Sequence, residues 1–432
     1  MTFIIVTKDF SGLGFAVMLL EEGNEVIVAY KNDDLKAGEK RTYENVGKNL
    51  VEKFPLEDVL KSRRKFKDAY WIFDQNIHEG VADALHKEGF KVFGGSKFME
   101  KMEHDRSFAV DFMKQSGLDI PDTHEFSNLP EGIAFLEQNP DDAFVYKPDE
   151  TEEAWQTFVP SSWEDDQANH ELLLYMKTVK DTGEYILQKR IKGVEVNVEA
   201  WFYEGEPFFA FVGLENKRKL NRDAGSNVGC AQDIDFVVAL DAPIVQKTIG
   251  RTFPQYKEMK YTGFADVNCI IADNKYYFLE VCNRFGYNSH PNLFRNLAID
   301  PTGQILADFI DGNIQGMYER FRLGFGASIS LYTDNPRQVP LIIKGQALEK
   351  FYHFDTFMVE DQLSIAGWAK EVGILCHYGS TIEEAASECI SMIDVYEDIT
   401  FPDISYRSDL GKDDWPTAPI RRFRALQTMK LL

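Results

Sequence analysis

The hydrophobic pattern changes character along the chain. Short apolar runs first alternate with helical stretches. Phe3–Thr7 leads into a tight Ser11-Gly12-Leu13-Gly14 turn, a helix over Phe15–Glu22 and a strand over Glu25–Tyr30. Tyr70–Phe73, a helix around Val81–Lys87 and Lys91–Phe93 continue the rhythm. Strands separated by helices predict a parallel sheet, so residues 1 to about 100 read as an open α/β domain. From Lys101 the pattern differs. Glu103–Ser116 reads as one amphipathic helix, with Phe108, Phe112 and Met113 on a stripe and Gly117 as its stop. Short strands (Ala143–Lys147, Tyr185–Gln188) then flank an acidic helical stretch over Glu164–Lys177. Longer strands follow at Glu195–Tyr203, Pro207–Leu214, Gly263–Ala272 and Tyr276–Cys282, joined in pairs by Tyr203-Glu204-Gly205-Glu206 and Asp273-Asn274. This middle part is antiparallel α+β. A helix near Thr302–Phe309 and a basic-aromatic stretch over Tyr318–Phe325 precede a last, strand-rich hundred residues. The predicted division is 1–100, 101–325 with a lid over about 118–190, and a smaller closing domain at 326–432.

At 432 residues there is room for about three domains, each with its own core. Charged residues make up 27% and hydrophobic ones 44%, which excludes wholesale disorder and fibrous folds. A net charge of -23 leaves no broad basic surface for duplex nucleic acid. No apolar run reaches the length that spans a bilayer, and the start lacks the form of a secretory signal. Five scattered Cys without a C-x-x-C pair speak against disulfides or structural zinc. The expectation is a soluble cytoplasmic protein, monomer or homodimer, acting on small molecules.

Three constellations carry chemistry. Gly12-Leu13-Gly14 lies between strand and helix, where backbone N–H groups can meet a phosphate. The third glycine of a dinucleotide fingerprint falls at Val17, however, and Asp33 and Asp34 are weak substitutes for a ribose-binding acid. A plain βα turn explains the motif as well as an NAD site does. Second, Lys147 ends an apolar strand, and Tyr185–Glu195 follows after a connecting segment. Such a lysine can hold nucleotide phosphates as a point charge. Extended backbone at Lys189–Ile191 can meet an adenine edge, and Glu195 can accept ribose hydroxyls. Third, Glu280 lies on a strand whose hairpin partner carries Asp266 and Asn268, a set of oxygen donors suited to Mg²⁺. Arg284 at the strand exit can stabilise charge on a transferring phosphoryl group. A solvated salt-bridge network is the bland alternative, weakened by the apolar surroundings of Glu280.

Together these segments resemble the ATP-grasp superfamily. Gly263–Gly286 looks like the YTG…EFNCRFG stretch of the phosphoribosylamine–glycine ligase branch. Arg106–Met113 is similar to its S-K-x-F-x-K-x-F-L helix. Glu215-Asn216-Lys217-Arg218 with Gly225–Gly229 resembles D-H-K-R…G-P-N-T-G-G, and Tyr406–Gly411 resembles R-K-D-I-G-W. The resemblance implies an ATP-grasp fold with an N-terminal open parallel α/β domain and a small C-terminal β-rich domain. It implies a ligase that activates a carboxylate with ATP as an acyl phosphate and joins it to an amine, with Mg²⁺ or Mn²⁺ as cofactor. By position, Arg106 and Lys147 would bind ATP phosphates, Gln188 with the Lys189 and Ile191 backbones adenine, and Glu195 ribose. Glu280 would bind metal, helped by Asp266 or Asn268. Lys217, Arg218 and Arg284 would surround the acyl phosphate. Gly225, Asn227 and Gly229 would lie near a substrate, with His290 as a further substrate contact.

Departures from the family pattern are part of the reading. Asp149–Phe158, where a glycine-rich phosphate loop is expected, has no glycine. Cys282 replaces a metal-binding Asn, and Asn283 next to it should face the other way. The sugar-phosphate signatures G-G-R-E-H-A and G-P-E-A-P-L are replaced by Ser11–Ala16 and Phe73–His78. The expected activity joins glycine or a similar amino acid to phosphoribosylamine or a divergent amine. A degenerate relative that binds nucleotide without turnover is the alternative.

Overall fold

The computed structural model describes residues 1–31, 35–78, 80–148, 157–180 and 183–432. The first hundred residues form an all-parallel sheet from β1 (Thr2–Thr7), β2 (Glu25–Tyr30), β3 (Glu52–Pro55), β4 (Tyr70–Phe73) and β5 (Lys91–Phe93), in the order β3-β2-β1-β4-β5. The fully buried run Phe3–Val6 on β1, covered on both faces, is what a central parallel strand requires. The helix α1 (Leu13–Glu21) returns the chain from β1 to β2. Asp33 and Asp34 lie outside the described residues.

The predicted helix over Glu103–Ser116 is two helices, Lys97–His104 and Arg106–Gln115. Asp105 breaks it: the residue is extended (φ -100, ψ 90) and its carboxylate accepts the Phe108 N–H at 2.9 Å. A short acid that caps from outside the helix competes with continuing it. The turn places Arg106 at the start of the second helix.

A three-stranded sheet follows, β6 (Thr123–Phe126), β7 (Phe144–Pro148) and β8 (Tyr185–Lys189), in the order β6-β8-β7. Its small core is aromatic, with Tyr146, Tyr185, Phe144 and Leu136 buried against the helix Asp165–Thr178.

The largest sheet has ten strands. β9 (Val194–Tyr203), β10 (Glu206–Gly213), β11 (Asn216–Leu220), β12 (Ala224–Val237), β13 (Gly263–Ala272), β14 (Lys275–Val281) and β15 (Phe325–Thr333) belong to it. Its path runs β14-β13-β9-β10-β12-β15, then Glu371–Gly379 and Phe351–His353, with β11 paired to β12. Residues 325–379 therefore continue the central sheet. Strand alternation divides its two faces. Val196, Val198, Ala200, Ala265, Val267 and Cys269 point into one apolar core. Trp201 and Phe264 point to the other side, where they pack with Phe93 and Phe309. Further along that second face the apolar residues give way to Glu195, Asn197, Glu199, Asp266 and Asn268. The site is built there.

Candidate active site

Antiparallel register brings the polar residues of neighbouring strands side by side. Asp266 pairs with Glu199, Asn268 with Asn197, and Asn268 with Glu280 on the other edge. Lys217 reaches over this patch from β11. Its Nζ lies 3.4 Å from Glu195, 3.8 Å from Glu215 and 3.5 Å from the Asn268 Oδ1, and it hydrogen-bonds Glu280. Burial alone would lower the lysine's pKa, but the three carboxylates outweigh it and raise it well above the ordinary value. Chiefly through Lys217, the Glu280 carboxyl is held down at about 2. Three carboxylates thus approach one ammonium, and the nearest donors, Glu280 and Asn268, offer oxygen as metal ligands. That donor set fits a hard divalent cation.

Lys147 faces this group from the lid sheet. Burial pushes its ammonium down to about 8, with Arg106 and Lys217 adding like-charge repulsion and Glu280 and Glu195 opposing it. Arg106 donates to the Pro148 carbonyl at 3.3 Å. Lys147, Arg106, Lys217, Glu195 and Glu280 thus form one electrostatic neighbourhood, contributed by the lid, the Arg106–Gln115 helix and the central sheet. The glycine-free stretch that follows Lys147 lies outside the described residues from 149 to 156. Phe158, just beyond it, exchanges two backbone hydrogen bonds with Tyr146 at 2.9 and 3.1 Å.

The other expected site residues divide. Gln188 is buried and donates to the Thr123 hydroxyl at 3.4 Å, while the Lys189 ammonium pairs with Asp142 at 2.8 Å. The Lys189 N–H, expected at an adenine edge, is taken by the Asp122 carbonyl at 2.7 Å. Arg218 bonds the carbonyls of Gly225 and Val159, tying the β11–β12 hairpin to the lid. Gly225 and Gly229 both have positive φ (78° and 86°), and the Gly229 N–H donates to the Asn227 side chain at 3.1 Å. Arg284 is held by Glu103 at 2.6 Å and lies 4.8 Å from the Tyr287 ring. Asp266 sits deeper than Glu280: it is 5% exposed, accepts the Asn197 amide at 2.8 Å, and is raised well above the carboxylate range by burial and by Glu199. His290 is 1% exposed, with Nδ1 accepting the Gly286 N–H at 2.7 Å and Nε2 3.2 Å from Glu199. Its Nδ1 contact holds the Gly286 turn in place. Burial raises the Cys282 thiol well above its ordinary range and keeps it protonated, a poor partner for a hard cation. Asn283 turns to the opposite face, toward the Tyr256 hydroxyl.

Several residues were given no role by the sequence reading, although Glu215 and Arg407 lie inside motifs it quoted. Glu199, Glu215, Asp233 and Asp235 extend the acidic face, and burial raises the last two well above the carboxylate range. The signal for Glu199, Asp233 and Asp235 was a polar residue at every second position, Glu195-Val196-Asn197-Val198-Glu199 and Asp233-Ile234-Asp235. Arg407, fully buried, is bidentate to Asp409 (3.0 and 2.9 Å) and bonds Asp223 at 2.8 Å and the Arg218 carbonyl at 3.1 Å. Arg422 in the last helix, Pro419–Thr428, donates to the Leu214 and Glu215 carbonyls at 3.0 and 2.9 Å and to Asn216 at 2.7 Å. Both arginines brace the strand that presents Lys217.

Comparison with known proteins agrees with this geometry. Residues 104–289 match the ATP-grasp (A) domain of phosphoribosylglycinamide synthetase. The chain has the ATP-grasp fold. The chain is similar to a phosphoribosylamine–glycine ligase of Streptococcus pneumoniae, 23% identical over 95% of this chain and 99% of the relative. A second such ligase, from Ralstonia nicotianae, is 24% identical over 77% of this chain and 81% of its own length. Among solved structures, the Thermotoga maritima phosphoribosylamine–glycine ligase matches with a TM-score of 0.65 at 17% identity, covering 95% of this chain and all of that one. A Campylobacter jejuni biotin carboxylase matches at 0.61 and 12% identity, over 99% of this chain and 95% of its own. The ATP-grasp fold therefore extends beyond the matched domain to nearly the whole chain. No helix among the described residues is long and apolar enough to cross a membrane.

Proposed function

We propose that the protein is an ATP-dependent carboxylate–amine ligase, similar to the phosphoribosylamine–glycine ligases, that activates glycine or another small amino acid and joins it to an amine. The observation that carries this reading is the meeting of two cations, Lys147 and Arg106, with an oxygen-donor face centred on Glu280, Asn268 and Lys217. Bringing a carboxylate to a triphosphate puts like charges together, so the protein must supply positive charge on both sides of the transferring group. Lys147 and Arg106 supply it from the lid side and Lys217 from the sheet side. Glu280 and Asn268 would hold Mg²⁺, which when bound neutralises charge and polarises the phosphoryl oxygens. Glu195, held near Lys217, is available to the ribose, and Arg218 couples lid position to the Gly225–Gly229 hairpin.

The reading is tested by following ADP release with ATP, Mg²⁺, an amino-acid panel and an amine panel. A specific amino acid and amine pair should raise release above the ATPase background. Glu280→Ala should abolish it while circular dichroism and the unfolding midpoint stay close to wild type. Full activity in Glu280→Ala would refute the site.

A further inference from the structure

The β11–β12 hairpin carries a group of side chains to which the proposed reaction gives no task. At its base β12 keeps one register across the end of β10 and the start of β11. Gly213 pairs with Asp235 and Asn216 with Gln232, which sets Glu215 opposite Asp233. Two acids facing each other across strands repel unless a cation lies between them. The register then slips. From Asn216 to Arg218 the first strand advances two residues, while the second advances five from Asn227 to Gln232. This extra length frees Cys230 from strict alternation, and the Tyr332 and Ser330 hydroxyls donate to its carbonyl at 3.1 and 3.4 Å. As a result the ligand atoms of Glu215, Cys230 and Asp233 all lie within 4.8 Å of one another.

The group is enclosed. Asp233 is 0% exposed, Cys230 5%, and the Glu215 side chain 17%. Asp233 Oδ1 accepts the Ile234 N–H at 2.8 Å, but Oδ2 is buried and makes no hydrogen bond. Asp235 Oδ1, the next position on the same face, is also buried and unpaired. Both oxygens lie over Gly213, where a Cβ would come within 3.4 Å of the first and 3.0 Å of the second. Neighbouring cations are engaged elsewhere. Lys217 approaches Glu215 at 3.8 Å but hydrogen-bonds Glu280, and Arg422 is taken by the Leu214 and Glu215 carbonyls and by Asn216. The Cys230 thiol donates to the Gln232 carbonyl at 3.4 Å.

A buried carboxylate oxygen without a partner, a second carboxylate opposite it and a thiol within reach make a donor set for a divalent ion. Sulfur decides which one. Mg²⁺ and Ca²⁺ take oxygen donors, whereas Zn²⁺ accepts thiolate and carboxylate together. We propose that Glu215, Cys230 and Asp233 form a second cation site, separate from the oxygen donors at Glu280 and Asn268, that binds Zn²⁺ and ties the start of β11 to β12. Three protein ligands leave the fourth tetrahedral position open. Binding releases the Cys230 proton to solvent and leaves a thiolate on the ion. The hairpin fastened in this way carries Lys217, Arg218 and the Gly225–Gly229 turn.

Co²⁺ added to the chelator-treated full chain in excess Mg²⁺ tests this, because cobalt bound to a thiolate gives a charge-transfer band in the near ultraviolet. The band should saturate at about one equivalent and vanish when Zn²⁺ displaces the cobalt. Zn²⁺ should also raise the thermal midpoint of wild type, since it binds the folded chain. Cys230→Ser should abolish the band and weaken Zn²⁺ about a hundredfold or more, given that losing even a partner that only orients a ligand costs about 10–100-fold. Asp233→Asn keeps an acceptor for the Ile234 N–H and loses the charge. It should weaken Zn²⁺ about tenfold or more, and it carries the test if the cysteine variant does not fold. Cys282→Ser, next to the Glu280 donors, should leave band and affinity as in wild type. Absence of a thiolate band in wild type, a band equal in wild type and Cys230→Ser, Zn²⁺ affinity unchanged in Asp233→Asn, or a band lost in Cys282→Ser instead would overturn the inference. Binding is read without turnover, so failure of the ligase reading leaves this site standing, and failure of this site leaves the ligase.

Discussion

Lys147 gives the sharpest prediction, because its expected pKa lies within the working range of an assay. Burial and two neighbouring cations hold its ammonium at about 8 instead of 10.5. A group of that pKa is about nine-tenths protonated at pH 7 and about one-tenth at pH 9. If the charged form holds the ATP phosphates, kcat/KM for ATP should fall about tenfold per pH unit above about pH 8. The limb reports the free enzyme. Lys147→Arg carries a charge that does not titrate in this range. That variant should therefore lose the limb, whatever its absolute rate, and serve as the control for ionisation of ATP itself. The measurement is steady-state ADP release from pH 6.5 to 9.5 with saturating Mg²⁺ and co-substrates. Unfolding does not mimic the effect. The unfolded lysine binds its proton up to about 10.5, so titration of Lys147 makes the fold more stable as pH rises from about 8 to 10.5. A wild-type profile that stays flat to pH 9.5, or an identical limb in Lys147→Arg, would refute the argument.

Two further predictions are independent of that limb. Arg407→Met should cost about 3–5 kcal/mol in urea unfolding, because it leaves the buried Asp409 carboxylate without its bidentate partner. An unchanged midpoint would show that this buried pair is not braced as described. Chelation with EDTA should stop ADP release, and excess Mg²⁺ or Mn²⁺ should restore it, since Glu280 and Asn268 present a hard-oxygen face. Persistent turnover in chelator would contradict the cation requirement.

Much of the fold was legible along the chain. Strands such as Gly263–Ala272 and Glu25–Tyr30, and the helix Val81–Lys87, match the reading residue for residue, because each has a clean period and Gly, Asn or Asp at its ends. Elements without such punctuation were harder. β12 begins in a Gly-Ser-Asn stretch and carries buried Asp233 and Asp235, so neither propensity nor hydrophobicity announces its fourteen residues. The helix break at Asp105 turned on a side-chain cap that competes locally with the helix. Lys147, Glu195, Lys217 and Glu280 could each be singled out by position, yet every one of them also reads as a solvated charge when taken alone.

What the sequence determined by itself was the type and order of the strands and helices, and which residues face the same way along each strand. Alternation and turn chemistry are local, and a local rule can be read from neighbours in the chain. Which charges meet was decided only by tertiary structure. Lys217, two residues after Glu215 in the chain, gathers Glu195 and Glu280 from two other strands, and Asp74 fills a turn sixty-two residues before it. Surroundings then set how those charges act: Lys217 holds the Glu280 carboxyl near 2, while burial raises Asp74 to about 7 in the enclosed turn beside Asp9. Dielectric and distance belong to the folded assembly, and no single stretch of chain contains either.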